Sequence, residues 1–301
     1  MREGIKRPEK ISDLIAKELP KQQSWIGEAI LPKRGITLVG GLDKIGKSFI
    51  NLEIARALTT GQNVMGHPLF HTEICRVLLL EQEIGEIGLQ DRVRNVMVKE
   101  DKALYEDRFF YVSQEPEMTL DTEEGREIIA EYVNHCQPNV LIFDPIANFQ
   151  EVEENDNTEV GKMFKALAKL RKMFEHLDLS IVISHHFGKP PRDDGRTRHD
   201  PLDRKNFRGA LRWIAAPDCI WTVHRNRELG LAYEAWETQN RVIIRNGSSP
   251  SDFSCTVNRD NDRRVKFAGE KGKLLPLHPA KPEPPPTTLK GTQSKMGFLS
   301  D

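Results

Sequence analysis

The sequence predicts an α/β fold: a mostly parallel central sheet with helices on both faces, and antiparallel strands near the C-terminus. Three observations predict it. Between Ile36 and His186, short apolar runs alternate with stretches of helical periodicity. The runs are continuously apolar, as expected of strands buried on both faces. A glycine-rich turn joins the first run to the first helix.

The elements follow in order. ISDLIAKELP places Ile11, Leu14, Ile15 and Leu19 at helical spacing, which predicts a short surface helix that packs on the main domain or docks on a neighbouring copy; a Pro-bounded linker follows to about residue 34. Ile36 to Val39 is the first buried strand, and Phe49 to Leu58 the helix after it. Arg76 to Glu83 reads as a second strand, Ile87 to Val98 as a helix, and Phe109 to Val112 as a third strand. Asp121 and Glu124 have capping-box spacing and predict a helix start. Asn139 to Asp144 is a fourth strand. Val160, Met163, Phe164, Leu167, Leu170 and Phe174 trace one face of a helix, and Leu179 to His186 forms a fifth strand.

The pattern breaks after His186 into a long polar segment, then ALRWIAA, CIWTVHR, LAYEAWE, RVIIR and FSCTV, read as a helix and several antiparallel strands. The Pro-rich end is poor in large apolar residues and reads as disordered. The expected organisation is therefore an N-terminal segment over 1–34, a core over 35–272 and a tail over 273–301.

Formal net charge is −1, so no global basic field marks a nucleic-acid protein. Cys75, Cys136, Cys219 and Cys255 are scattered without a CxxC pair, which argues against a disulfide framework or structural zinc and fits a reducing compartment. No apolar signal region and no membrane-length stretch is found. The expected setting is cytoplasmic.

Gly41-Leu42-Asp43-Lys44-Ile45-Gly46-Lys47-Ser48 matches GxxxxGK[ST], between a predicted strand and a predicted helix that begins near Phe49. The spacing has a chemical reason. Glycines let the backbone wrap phosphates so that successive N–H groups point inward at a helix start. Lys47 offers a charge to the β and γ phosphates, and Ser48 a hydroxyl to Mg²⁺. ATP with Mg²⁺ is the expected ligand pair. Asp144, ending a buried strand beside the P-loop strand, is a candidate for the metal shell. Glu81 and Glu83 end the first strand after the P-loop helix. By strand alternation they share a face, and either could orient the attacking water. His185 and His186 end the fifth strand, where a polar side chain can sense the γ-phosphate.

Taken together, these residues resemble the RecA-fold ATPases related to the plasmid replicative helicase RepA and, more distantly, the DnaB-type hexameric helicases. The resemblance spans about residues 10–270. It rests on GGLDKIGKS, ALTTGQNVMGHPLF, VLLLEQE, FDPIANFQEVEENDN, ISHHFGK, NFRGALRWIAAPD and IIRNGSSPSDF, in that order. It implies that Glu83 is the hydrolytic base and Asp144 the metal-linked carboxylate. It implies that His185, His186 and Lys189 form a sensor strand, and that Arg208 is an arginine finger with Arg212 as second candidate. The family's RGSS reads Arg208-Gly209-Ala210-Leu211 here, without either hydroxyl. The resemblance also implies a homo-oligomer, usually a hexameric ring with ATP at subunit interfaces.

The 189–205 loop carries Lys189, Arg192, Arg196, Arg198, Arg204 and Lys205, balanced by Asp193, Asp194, Asp200 and Asp203. It is the candidate contact for single-stranded DNA. The expected function is an ATP-hydrolysing motor, a hexameric DNA helicase of plasmid or phage replication type. The alternatives are a RecA-like recombinase or mediator, and an ATP-gated scaffold without unwinding activity.

Overall fold

A computed structural model describes residues 9–18, 23–27, 30–43, 46–66, 70–97, 100, 102–151, 156–186, 212–225, 239–246, 252–259 and 265–267. The chain opens with α1 (Ile11–Ala16), which has no buried residue. Ile11 and Ile15 remain 71 % and 80 % exposed. The helix forms as its spacing predicts but does not pack on the body of the domain.

Where a linker is expected, β1 (Ser24–Ile26) and β2 (Leu31–Pro32) pair as a small antiparallel hairpin. Trp25, Ile26, Ile30 and Leu31 are all buried. The Trp25 indole N–H donates to Ser180 Oγ at 3.1 Å, which ties the hairpin to the main sheet.

The main sheet is built from β3 (Ile36–Gly41), β4 (Val77–Glu81), β5 (Phe109–Ser113), β6 (Val140–Asp144), β7 (Ser180–His186), β8 (Cys219–Arg225), β9 (Gln239–Asn246), β10 (Asp252–Arg259) and β11 (Val265–Phe267). Its order is β11-β10-β9-β8-β3-β7-β6-β4-β5. Every pair from β8 to β5 is parallel, and the pairs from β8 through β11 are antiparallel. CIWTVHR, read as antiparallel, is thus parallel to the P-loop strand on one side and antiparallel to β9 on the other. The β6 strand is not beside β3: β7 lies between them.

The helices connecting these strands are α2 (Lys47–Thr60), α3 (Gly85–Met97), α4 (Lys102–Tyr105), α5 (Glu123–Cys136), α6 (Asn157–Met173) and α7 (Arg212–Ala215). The expected cap of α5 moves by one residue. Thr122 Oγ accepts from the Gly125 N–H at 3.0 Å, while Asp121 accepts from the Glu151 N–H.

Strand side chains divide between two cores by their period of two. Val77, Leu79, Val140, Ile142 and Val182 join one core with the apolar residues of α2 and α3. Leu78, Leu80, Leu141, Phe143, Ile181 and Ile183 join the other with those of α5 and α6. Each fully buried aliphatic side chain contributes roughly 1.5–3 kcal/mol. This two-sided burial is why the strands read as continuous apolar runs.

The described cysteines Cys75, Cys136 and Cys219 are buried. Burial pushes the Cys219 thiol up to about 12. Among the described residues no helix is long and apolar enough to cross a membrane.

Candidate functional site

The parallel strands carry the polar side chains to their C-terminal edge, where α/β sheets place ligands. Registration aligns Gly41 of β3 with His186 of β7, and Glu81 of β4 with both Asp144 of β6 and Ser113 of β5. Gly46 then starts α2 with φ of 108°, a left-handed conformation that favours glycine and turns the chain into the helix.

A cavity of about 200 Å³ opens at this edge. It is lined by Gly46, Lys47, Ser48, Phe49, Glu83, Arg92, Asp144, Pro145 and His186. Lys47 is 6 % exposed. Its ammonium donates to the Gly41 carbonyl at 3.1 Å and the Leu42 carbonyl at 3.0 Å, and lies 3.0 Å from His186 Nδ1. Burial lowers its pKa from the usual lysine value, against the charges of Asp144, Asp43 and Glu83, which raise it. A buried cation facing three carboxylates at the mouth of a helix is arranged to meet a polyanion.

His186 Nδ1 also lies 2.5 Å from Asp43 Oδ1. One ring nitrogen meets both groups. With a proton it donates to Asp43; without one it accepts from Lys47. Asp43 therefore enters the site through His186. Ser184 Oγ donates to Asp144 Oδ1, fixing that carboxylate at the floor.

The two glutamates part company. The strand ends at Glu81, two residues short of the expected end, so alternation does not extend to Glu83. Glu81 is 4 % exposed and is not among the cavity residues, whereas Glu83 is exposed and lines the cavity.

The two histidines part as well, this time by strand parity. His186 faces the P-loop. His185 faces the opposite layer, fully buried, with its ring stacked on Trp213 at 3.9 Å and 14°. The structure does not bring His185 to the nucleotide side, because successive residues of a strand point to opposite faces.

Arg92 and Pro145 line the cavity without having been candidates from the sequence, and Arg92 is the charged one. Arg92 projects from α3, with its guanidinium 5.6 Å from the Phe49 ring of α2. Its only local signal is its place on the helix after Glu83; the helix pairing that brings it to Phe49 is tertiary. Arg212 is exposed, with its guanidinium against Gly161 of α6 rather than in the cavity. Lys44, Ile45, Lys189, Arg208, the 189–205 loop, the LAYEAWE element and the 273–301 tail lie outside the described residues.

Residues 5–192 of the chain, more than half of it, match a family model described as an AAA domain. A search of curated proteins finds no match.

Proposed function

This chain belongs to the AAA domain family of P-loop ATPases, and from that premise we propose that it is an ATP-driven motor on DNA, a hexameric helicase of plasmid or phage replication type. The observation that supports the ATPase part best is the convergence of Lys47, Ser48, Glu83, Asp144 and His186 on one cavity. Glu83 is what takes this beyond nucleotide binding, because a carboxylate exposed to that cavity offers a general base.

The residues fit ATP with Mg²⁺. Ser48 and Asp144 supply hard oxygen donors. Among the described residues there is no cluster of three or more His, Cys, Asp or Glu side chains for a metal. Mg²⁺ is commonly held by one or two protein oxygens and completed by substrate phosphates and water. When bound, Mg²⁺ supplies charge neutralisation at the β and γ phosphates.

In this reading Lys47 binds the phosphates and Glu83 takes the proton of the attacking water as its oxygen bonds to the γ-phosphorus and the bond to ADP breaks. His186, beside Lys47 in the cavity, takes the role of γ-phosphate sensor. Arg208, offered by a neighbouring subunit, stabilises the transition-state charge; such fingers contribute roughly 10³–10⁵ in rate. The helicase part is supported by the ordered motifs and by the basic residues of the 189–205 loop, whose acids work against it.

The test is the ATPase rate of the full chain at low salt with and without single-stranded DNA, alongside its mass in ATP. The expected result is DNA-stimulated turnover in a six-subunit species. Filaments in place of rings would favour the recombinase reading. Turnover indifferent to DNA would replace the motor with a nucleotide-gated scaffold.

A further inference from the structure

We propose that Glu81 is a positioning residue for hydrolysis: its buried carboxylate clamps the turn that presents Glu83. The inference rests on the ATPase reading and assigns a role to the carboxylate which that reading leaves unused.

Glu81 closes β4 and is 4 % exposed. Its Oε1 accepts from the Glu83 N–H at 2.6 Å and the Ile84 N–H at 2.5 Å. Its Oε2 accepts from the Gly85 N–H at 3.1 Å and from Ser113 Oγ at 3.0 Å. These N–H groups belong to the entry of α3, where backbone donors lack helical partners and the helix dipole favours a negative charge. An anchored carboxylate there satisfies them together.

The rest of the turn is tied down too. The Gln82 N–H donates to the Asp144 carbonyl at 3.1 Å, and Asn148 Nδ2 donates to the Gln82 carbonyl at 2.8 Å. Gly85 has φ of 69°, and a Cβ there would come within 2.7 Å of Gln114 Oε1. The backbone around Glu83 is thus held from β4, β5 and β6, while its side chain stays exposed to the cavity.

That arrangement suits a general base. A base must hold its oxygen within hydrogen-bond reach of one water. Misplacement by about 1 Å costs on the order of 10²-fold in rate. A side chain on an unclamped turn would sample many positions. Glu81 removes that freedom without meeting the substrate, and Ser113 carries the restraint to the edge strand.

The experiment compares kcat, KM for ATP and the kcat–pH profile of the full chain for wild type, Glu83→Gln, Glu81→Ala and Glu81→Gln, with thermal unfolding of each. Glu81→Ala is expected to lower kcat by roughly 10- to 100-fold. KM stays within about twofold, because the phosphate cradle is untouched, and the acid limb of kcat moves as Glu83 loses its fixed surroundings. Glu81→Gln, which keeps an acceptor oxygen, recovers most of the rate. A purely structural loss would lower the amount of folded protein without moving the pH limb.

Wild-type kcat and pH profile in Glu81→Ala would overturn the proposal. So would a Glu81→Gln that binds ATP but turns it over no better than Glu83→Gln, since Glu81 would then be the base. If Glu81→Ala does not fold, Ser113→Ala removes a single hydrogen bond from the clamp. A several-fold fall in kcat at constant KM supports the proposal, and no change overturns it. A wild type that hydrolyses no ATP ends the ATPase reading itself, whereas an active wild type with an indifferent Glu81 ends only this inference.

Discussion

Burial weakens the hold of the Lys47 amine on its proton, while Asp144, Asp43 and Glu83 strengthen it; burial wins, and the pKa falls below the lysine norm. A bound triphosphate would push it back up. The sign of the pH effect follows. Affinity for ATP should be level while Lys47 is charged, then fall once pH passes its lowered pKa, earlier than the ordinary value of about 10.4 would allow. Lys47→Arg, always charged, should stay level over the same range. Calorimetric titration with ATP between about pH 7 and 10 checks this, and an affinity flat across that range in the wild type would refute it. The same environment explains why Lys47 gathers the carbonyls of Gly41 and Leu42 and the ring of His186 about itself. A desolvated ammonium needs acceptors, and the P-loop supplies its own.

Helix α2 owes part of its anchorage to an ion cluster near its middle. Arg56 donates to both oxygens of Glu53 at 2.7 and 2.8 Å, and to Glu100 at 3.1 Å, with all three side chains no more than 3 % exposed. Burial alone would lower the pKa of the Arg56 guanidinium, but hydrogen bonds and charge from Glu53 and Glu100 raise it. Glu53 Oε1 also accepts the Met65 N–H at 2.9 Å, so the cluster reaches the turn after the helix. Arg56→Ala would take the cation from the buried Glu53 carboxylate and one partner from Glu100. The expected loss is about 3–5 kcal/mol, measured as a lower urea midpoint; a loss under about 1 kcal/mol would mean that water reaches the site. This cluster was not legible in the sequence, where Glu53 and Arg56 look like the solvated face of a helix. What was legible had a local cause: Val160 to Leu170 at helical spacing, apolar runs for β4, β6 and β7, and the glycines of the P-loop. What was not legible depended on partners far along the chain. The hairpin at Trp25 needs Ser180, the end of β4 at Glu81 needs Ser113, and Arg92 reaches the site only because α3 lies beside α2. Parity alone separates His185 from His186, and the reading that grouped them overlooked it.

At the scale of the molecule, the sheet separates two cores, one on each face. The nucleotide cavity belongs to the side of α2 and α3. On the other side lie α6 and α7, with α7 following directly on the segment that holds Arg208. Neighbouring residues on β7 therefore serve different layers: His186 touches Lys47, and His185 stacks on Trp213, whose ring meets Phe164 edge-on at 5.6 Å. Both side chains are carried by one strand, so a displacement of the β7 backbone at His186 carries His185 with it. This gives the chain an optical signal of its own. Indole emission depends on the groups against the ring, here the stacked His185 imidazole, and Trp213 lies on the face of the sheet opposite α2 and α3. Trp25 and Trp221 lie in the core on the side of α2 and α3, and Trp236 lies outside the described residues. Adding ATP to the unlabelled protein should change its tryptophan fluorescence, and Trp213→Phe should remove most of that change. Equal responses in the two proteins would mean that the signal arises elsewhere. Light emitted from one face of the sheet would then report, without any dye, what is bound on the other.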